Sequence, residues 1–110
     1  MTGLPDTDLH LALDRLIGRV QHWTPSRWAR PSAVDGRTRA DLVHSLAQRL
    51  ADAGADASGE PLRPVPRLDN DSALPDQLRV LTADLLAAPA PPDTVDRLAA
   101  DVQETADHLV

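Results

Sequence analysis

The side chains best suited to chemistry lie between residues 23 and 39, where both tryptophans of the chain occur with four arginines. Guanidinium groups bind carboxylates and phosphates through paired hydrogen bonds, and Trp and Arg are the residue types that most often anchor a protein partner. The predicted binding surface therefore consists of Trp23, Arg27, Trp28, Arg30, Arg37 and Arg39. The alternative for this set is structural, with the two indoles in the core and the arginines outside it, paired with the acidic last helix.

The four histidines are the other side chains that could bind a metal or transfer a proton: His10, His22, His44 and His108. None belongs to a His-x-x-x-His or His-Glu-x-x-His motif, and no phosphate loop or Gly-x-Ser-x-Gly motif is present. His44 is the one candidate metal ligand, because it lies three residues after Asp41 on the same predicted helix, beside its apolar face. The alternative is a structural histidine. We therefore predict no catalytic residue, no metal and no cofactor.

Residues 28–47 contain a Pro-Ser pair, an Asp-Gly turn and the sequence Asp-Leu-Val-His-Ser-Leu-Ala. This stretch resembles the early part of DinB-like four-helix bundles, including the N-terminal domain of mycothiol-dependent maleylpyruvate isomerase. The resemblance implies a helical bundle in which a histidine of the third motif binds a divalent metal. Here Arg37 replaces the tryptophan of the family's turn, and Ser45 occupies the metal-histidine position, one residue after His44. Since one residue is about 100° of rotation on a helix, the resemblance implies a bundle that has lost the metal.

The two tryptophans flank a predicted short helix at residues 25–30. Thr24 is a suitable N-cap and Pro25 a suitable first helical residue. Trp23 and Trp28 then occupy the N′ and N4 positions of a hydrophobic staple. Pro31 should end this helix, because the residue before a proline avoids the helical conformation.

Four longer helices are predicted at residues 6–22, 37–53, 73–88 and from 92 to the C-terminus. In each one, apolar residues recur at steps of three and four, which places them on one face of a helix. The four stripes are Leu9, Leu13, Leu16, Ile17 and Val20; Leu42, Val43, Leu46, Ala47 and Leu50; Leu74, Leu78, Val80, Leu81, Leu85 and Leu86; and Val95, Leu98, Val102, Ala106 and Leu109. Gly18 is expected to allow close packing, and Gly54 to follow the end of the second long helix.

Residues 55–73 form a proline-rich crossover, since Pro61, Pro64 and Pro66 exclude a continuous helix. Leu62 and Leu68 lie three residues either side of Val65, so one side of an extended or polyproline-II segment could pack on the bundle. A flexible linker is the alternative. The fold predicted for residues 1–110 is a single all-α domain, a four-helix bundle with an extra short helix.

The charge distribution excludes some classes of partner. The net charge is −6, which argues against nucleic-acid binding because phosphate affinity depends on basic charge. No run of apolar residues is long enough for a membrane span, and cysteine is absent. We expect a small cytoplasmic, non-enzymatic protein that acts through a protein partner or self-association, using the Trp–Arg residues or the proline-rich crossover. The alternative is a DinB-like metal-dependent enzyme or a small-anion-binding protein.

Overall fold

A computed structural model describes residues 5–109 and confirms the all-α fold, with five helices and no strand within that range. The helices are α1 (Pro5–Val20), α2 (Pro25–Trp28), α3 (Arg39–Ser58), α4 (Leu74–Ala87) and α5 (Pro92–His108). A 3₁₀ turn (Asp71–Ala73) precedes α4, and a single antiparallel bridge joins Pro31 to Thr38. The predictions for residues 1–4 and 110 lie outside the described residues.

The four long helices pack as a bundle in which α1 runs parallel to α5 and α3 runs parallel to α4. Arg19 at the end of α1 donates from Nη1 to the Ala106 carbonyl at 3.0 Å, so the C-terminal ends of α1 and α5 lie together. Near the ends of α3 and α4, Gly54 lies against Leu85. Because α3 and α4 end on the same side of the bundle, the segment that connects them must run back along the length of the bundle.

The core is built from the predicted apolar stripes. Every stripe residue of α1 and α3 is buried, and so are the principal stripe residues of α4 and α5. Val80 was predicted to widen the apolar face of α4, and this is wrong, because its side chain is 60% exposed. Gly18 is exposed with no side-chain or distant backbone atom near it, so the predicted close packing at this position is also wrong.

Helix α3 continues past the predicted boundary at Gly54 and ends at Ser58. The Cα atom of Leu85 lies 3.9 Å from the point that a Cβ on Gly54 would occupy, so α3 and α4 pack closely here and leave room for a small side chain only. Gly59 is the residue that ends the helix, with a φ of 69° in the left-handed region. The irregular crossover is therefore shorter than predicted and spans residues 59–70.

A capping box fixes the start of α3. The Thr38 hydroxyl accepts from the Asp41 amide at 3.1 Å, and the Asp41 carboxylate accepts from the Thr38 amide at 2.9 Å. Arg67 also donates to the Asp41 carboxylate, at 3.0 Å. The Thr38 backbone hydrogen bond, followed by Arg67 and the Thr38 hydroxyl, holds the pKa of Asp41 below its usual value against the opposing effect of burial.

Asp41 should therefore make the fold sensitive to acid. Because its pKa is lower in the folded chain than the unfolded value of about 3.9, its stabilisation is complete above that value. The stabilisation is lost as the pH falls through the folded-state pKa. We expect Asp41→Asn to lower the free energy of unfolding by about 1 kcal/mol at pH 7 and to lose less on acidification than the wild type. Urea unfolding at pH 7 and pH 3 measures both, and parallel pH curves for the two proteins would contradict the prediction.

Among the helices of residues 5–109, none combines the length and the apolar character needed to cross a lipid bilayer.

Candidate protein-contact surfaces

The two tryptophans form the staple that their spacing predicted. Thr24 caps α2, and its hydroxyl accepts from the Arg27 amide at 3.3 Å. The rings of Trp23 and Trp28 meet edge to face, with centroids 5.0 Å apart and planes at 70°. Trp23 is 8% exposed and Trp28 is 0% exposed, so both indoles belong to the core.

Arginines surround this indole pair on its solvent side. The guanidinium carbons of Arg27 and Arg39 lie 5.5 Å and 5.0 Å from the centroid of Trp23, within cation–π range. Burial, followed by the positive charges of Arg30, Arg27 and Arg19, lowers the pKa of Arg39 from its usual value. Four arginines therefore share one corner of the molecule, which we name the arginine corner: Arg19, Arg27, Arg30 and Arg39.

The arginine corner differs from the predicted binding surface at two positions. Arg37 lies apart from it, because its guanidinium donates to the Asp41 carbonyl at 3.2 Å and to the Ser45 hydroxyl. Arg19 belongs to it but was missed, since it lies on another helix. Its position at the end of α1, four residues before Trp23, was the only available signal. The role of the arginines in binding stays a prediction.

Residues 59–70, which we name the strap, run back along α3 in an extended conformation. Gln48 accepts from the Val65 amide at 2.7 Å and donates to the Arg63 carbonyl at 3.0 Å. One turn earlier in α3, His44 Nε2 lies 2.9 Å from the Val65 carbonyl. Because a carbonyl can only accept, this histidine carries a proton on Nε2. Three bonds from two α3 side chains thus hold the strap against the bundle, as an ordered crossing requires.

The C-terminal part of the strap is fixed to α4, to the start of α3 and to the 3₁₀ turn. Gln77 donates to the Pro66 carbonyl at 3.2 Å, and Arg67 forms ion pairs with Asp41 and Asp71. The strap side chains do not pack as predicted, since Val65 is half-buried but Leu62 and Leu68 are 64% and 45% exposed. The backbone of the strap is therefore anchored inward while two of its leucines face solvent.

The residues around His44 do not fit a metal site of the kind that the DinB-like resemblance describes. The Nε2 atom is turned to the Val65 carbonyl, which leaves only Nδ1 as a potential ligand. Within residues 5–109, no three histidine, aspartate or glutamate side chains are grouped so that they could hold a metal ion. His44 thus contacts the strap through Nε2, and its role as a metal ligand stays a prediction.

An apolar groove lies between the strap and α4, and we name it the strap groove. It encloses about 470 Å³, and its apolar walls are formed by Ala51, Val65, Leu68, Val80 and Leu81. Its polar members are Arg63, Asp76 and Gln77. A second cavity of about 300 Å³ shares Ala51, Arg63 and Leu81 with it and extends the groove toward Glu60 and Asp84.

Sequence reasoning did not find the strap groove, although it found most of its apolar residues. Val80 and Leu81 were assigned to the core stripe of α4, and Leu68 to the packed side of the crossover. Only the path of the strap relative to α4 brings these three side chains to one surface.

Searches of protein-family models, of curated proteins and of solved structures find no match to this chain. The resemblance of residues 28–47 to DinB-like bundles therefore stays a prediction.

Proposed function

We propose that this chain is a small cytoplasmic, non-enzymatic helical protein that acts through protein–protein contacts, with the strap groove as its contact surface. The observation that carries this proposal is the exposure of Leu68 and Val80, at 45% and 60%, in one groove with apolar walls. Contiguous apolar surface bordered by polar residues is typical of interaction sites, whereas scattered exposed leucines are ordinary. The lack of cysteine is compatible with a reducing compartment.

The rigidity of the strap supports this choice of surface. Hydrogen bonds from His44, Gln48 and Gln77 fix the strap backbone on one wall of the groove. The other wall is α4, a regular helix. A groove whose walls are already ordered binds a partner with little loss of conformational entropy.

The arginine corner is a weaker candidate for the main contact. Trp23 and Trp28 are the residue types that most often provide binding energy, but both are buried in the core. Arg19, Arg27 and Arg30 are exposed, and exposed arginines without an accessible aromatic anchor favour encounter and orientation more than affinity.

Site-specific photo-crosslinking tests the proposal. Benzoylphenylalanine is placed at Val80 or Leu68, and at Leu11 as the control, because Leu11 is exposed to a similar extent (47%) but lies outside the strap groove. After irradiation in cells of the source organism, we expect a defined protein adduct at positions 80 and 68 and none at position 11. An adduct with a second copy of the chain would also support the proposal. Equal labelling at the three positions, or no adduct at 80 and 68, would overturn it.

A further inference from the structure

We infer that the strap groove binds an amphipathic helix of another protein, one that carries basic residues beside its apolar stripe. This inference rests on the proposed function and adds the class of partner to it. The hydrogen bonding of the strap favours a helix as the partner, and the charges along α4 favour a basic one. The symmetry of a twofold pair argues against a second copy of this chain.

The hydrogen bonding of the strap favours a helix over an extended peptide. An added strand needs unpaired backbone amides and carbonyls along an exposed edge. Here the Val65 amide and the carbonyls of Arg63, Val65 and Pro66 are all bonded to side chains of α3 and α4. The strap therefore presents side chains to a partner, and an apolar groove of this kind fits the side-chain stripe of an amphipathic helix.

The charges along α4 favour a basic partner. Asp76 and Asp84 lie four residues before and after Val80, so the three share one face of the helix. Glu60 adds a third carboxylate at the extension of the groove. Arg79 pairs with Asp76 at 2.9 Å, but within residues 5–109 no ion pair involves Asp84 or Glu60. Among the described residues, the extension of the groove is therefore lined by two carboxylates without an ion pair, Asp84 and Glu60, and by one arginine without an ion pair, Arg63.

Gln77 provides an additional acceptor at the groove. Its Nε2 atom donates to the Pro66 carbonyl, while its Oε1 atom is buried and has no hydrogen-bond donor among the described residues. Buried acceptors of this kind normally have a donor. A guanidinium or ammonium group of a partner would supply one after a small side-chain movement.

A second copy of this chain is a poor occupant of the groove. A twofold pairing of α4 with its copy, centred on Val80, would be antiparallel. Because Asp76 and Asp84 are equally distant from Val80, Asp76 of one copy would lie opposite Asp84 of the other copy. Asp84 of each copy would then lie opposite a carboxylate that is already paired with Arg79 and would gain no free positive charge, whereas a basic helix would supply one.

Two designed peptides test the inference. Both are fluorescein-labelled helices with leucines at positions i, i+3, i+4 and i+7, and they differ only in flanking arginines or glutamates. By fluorescence anisotropy at low ionic strength, we expect the arginine peptide to bind about tenfold tighter than the glutamate peptide. Circular dichroism should show that the bound peptide gains helix.

Three variants of the chain provide controls. Asp84→Arg lies in the last turn of α4, where a positive charge suits the helix dipole, so it should fold normally and reduce the peptide preference at least about threefold. Val80→Asp should weaken binding of the arginine peptide by about tenfold or more. Leu11→Asp should leave its binding unchanged.

The outcomes separate the inference from the proposed function. Equal affinity for both peptides, a preference that Asp84→Arg does not change, or binding without helix formation would overturn the inference. If no designed helix binds but crosslinks form at position 80, the groove is a contact surface for a different class of partner. If neither occurs, both proposals fail.

Discussion

Replacing Trp28 with alanine is expected to lower the free energy of unfolding by about 3–5 kcal/mol, the cost of removing a large aromatic side chain from a core. Trp28 is completely buried, and its removal also eliminates the edge-to-face contact with Trp23. A domain of this size has a total stability of about 5–15 kcal/mol. The variant should therefore lose a large part of its stability, which urea titration followed by circular dichroism would measure.

Two other substitutions show whether this loss comes from the site itself. Leu11→Ala removes an apolar side chain that is 47% exposed, and we expect a change within about 0.5 kcal/mol. Trp28→Phe keeps an aromatic ring and removes an indole N–H that has no acceptor among the described residues. Its loss should be clearly smaller than that of Trp28→Ala. Similar losses for all three substitutions would show that the indole pair does not organise this corner of the core.

The second large effect is expected at Gly54, where α3 lies against α4. Gly54→Leu should lower the free energy of unfolding by about 1–3 kcal/mol or more, because the added side chain must displace the backbone at Leu85. Gly54→Ala is the matched control. A Cβ at 3.9 Å from the Leu85 Cα is in ordinary van der Waals contact, so alanine fits and should raise helix stability by about 0.5–1 kcal/mol.

Thermal unfolding of the two variants would measure this difference. The opposite signs expected for alanine and leucine distinguish a steric limit from a simple preference for helix formers, since both residues favour helices over glycine. If Gly54→Leu were as stable as Gly54→Ala, the close approach of α3 and α4 would not depend on a small residue at position 54.

Helix periodicity predicted the fold class because each long helix carries one apolar stripe. In a small all-α chain, these stripes are buried by packing the helices against one another. The stripes of α1 and α3 and most of the last stripe are buried as predicted, and the Thr24 cap and Trp staple are confirmed. These are local patterns in which each residue's role depends on neighbours within two helical turns.

The failed predictions concern residues whose role depends on distant parts of the chain. Glycine commonly follows the end of a helix, yet α3 continues through Gly54, where α4 packs against it. Val80 extends an apolar stripe by its spacing, yet it is exposed because the strap covers α3 and leaves this side of α4 open. Tertiary packing decides such positions, so local spacing alone could not locate the strap groove.

The sequence indicated the residues of the arginine corner but not their environment. Trp and Arg in a short segment fit either an exposed anchor or a core pair with arginines outside it, and the burial of both indoles agrees with the core pair. Arg19 joins the corner from a helix that precedes it in the chain. Charged residues on separate helices cannot be assigned to one cluster until the packing of those helices is known.

The pairing of α1 with α5 has a consequence for synthesis of the protein on the ribosome. These helices are the first and last of the bundle, and Arg19 already contacts the final turn of α5 through the Ala106 carbonyl. The apolar stripe of α1 therefore emerges well before the helix that covers it has been translated. At about 5–20 residues per second, this interval lasts several seconds. Until α5 has been translated, the exposed apolar stripe of α1 can aggregate. We therefore expect the nascent chain to depend on chaperones most strongly during this interval.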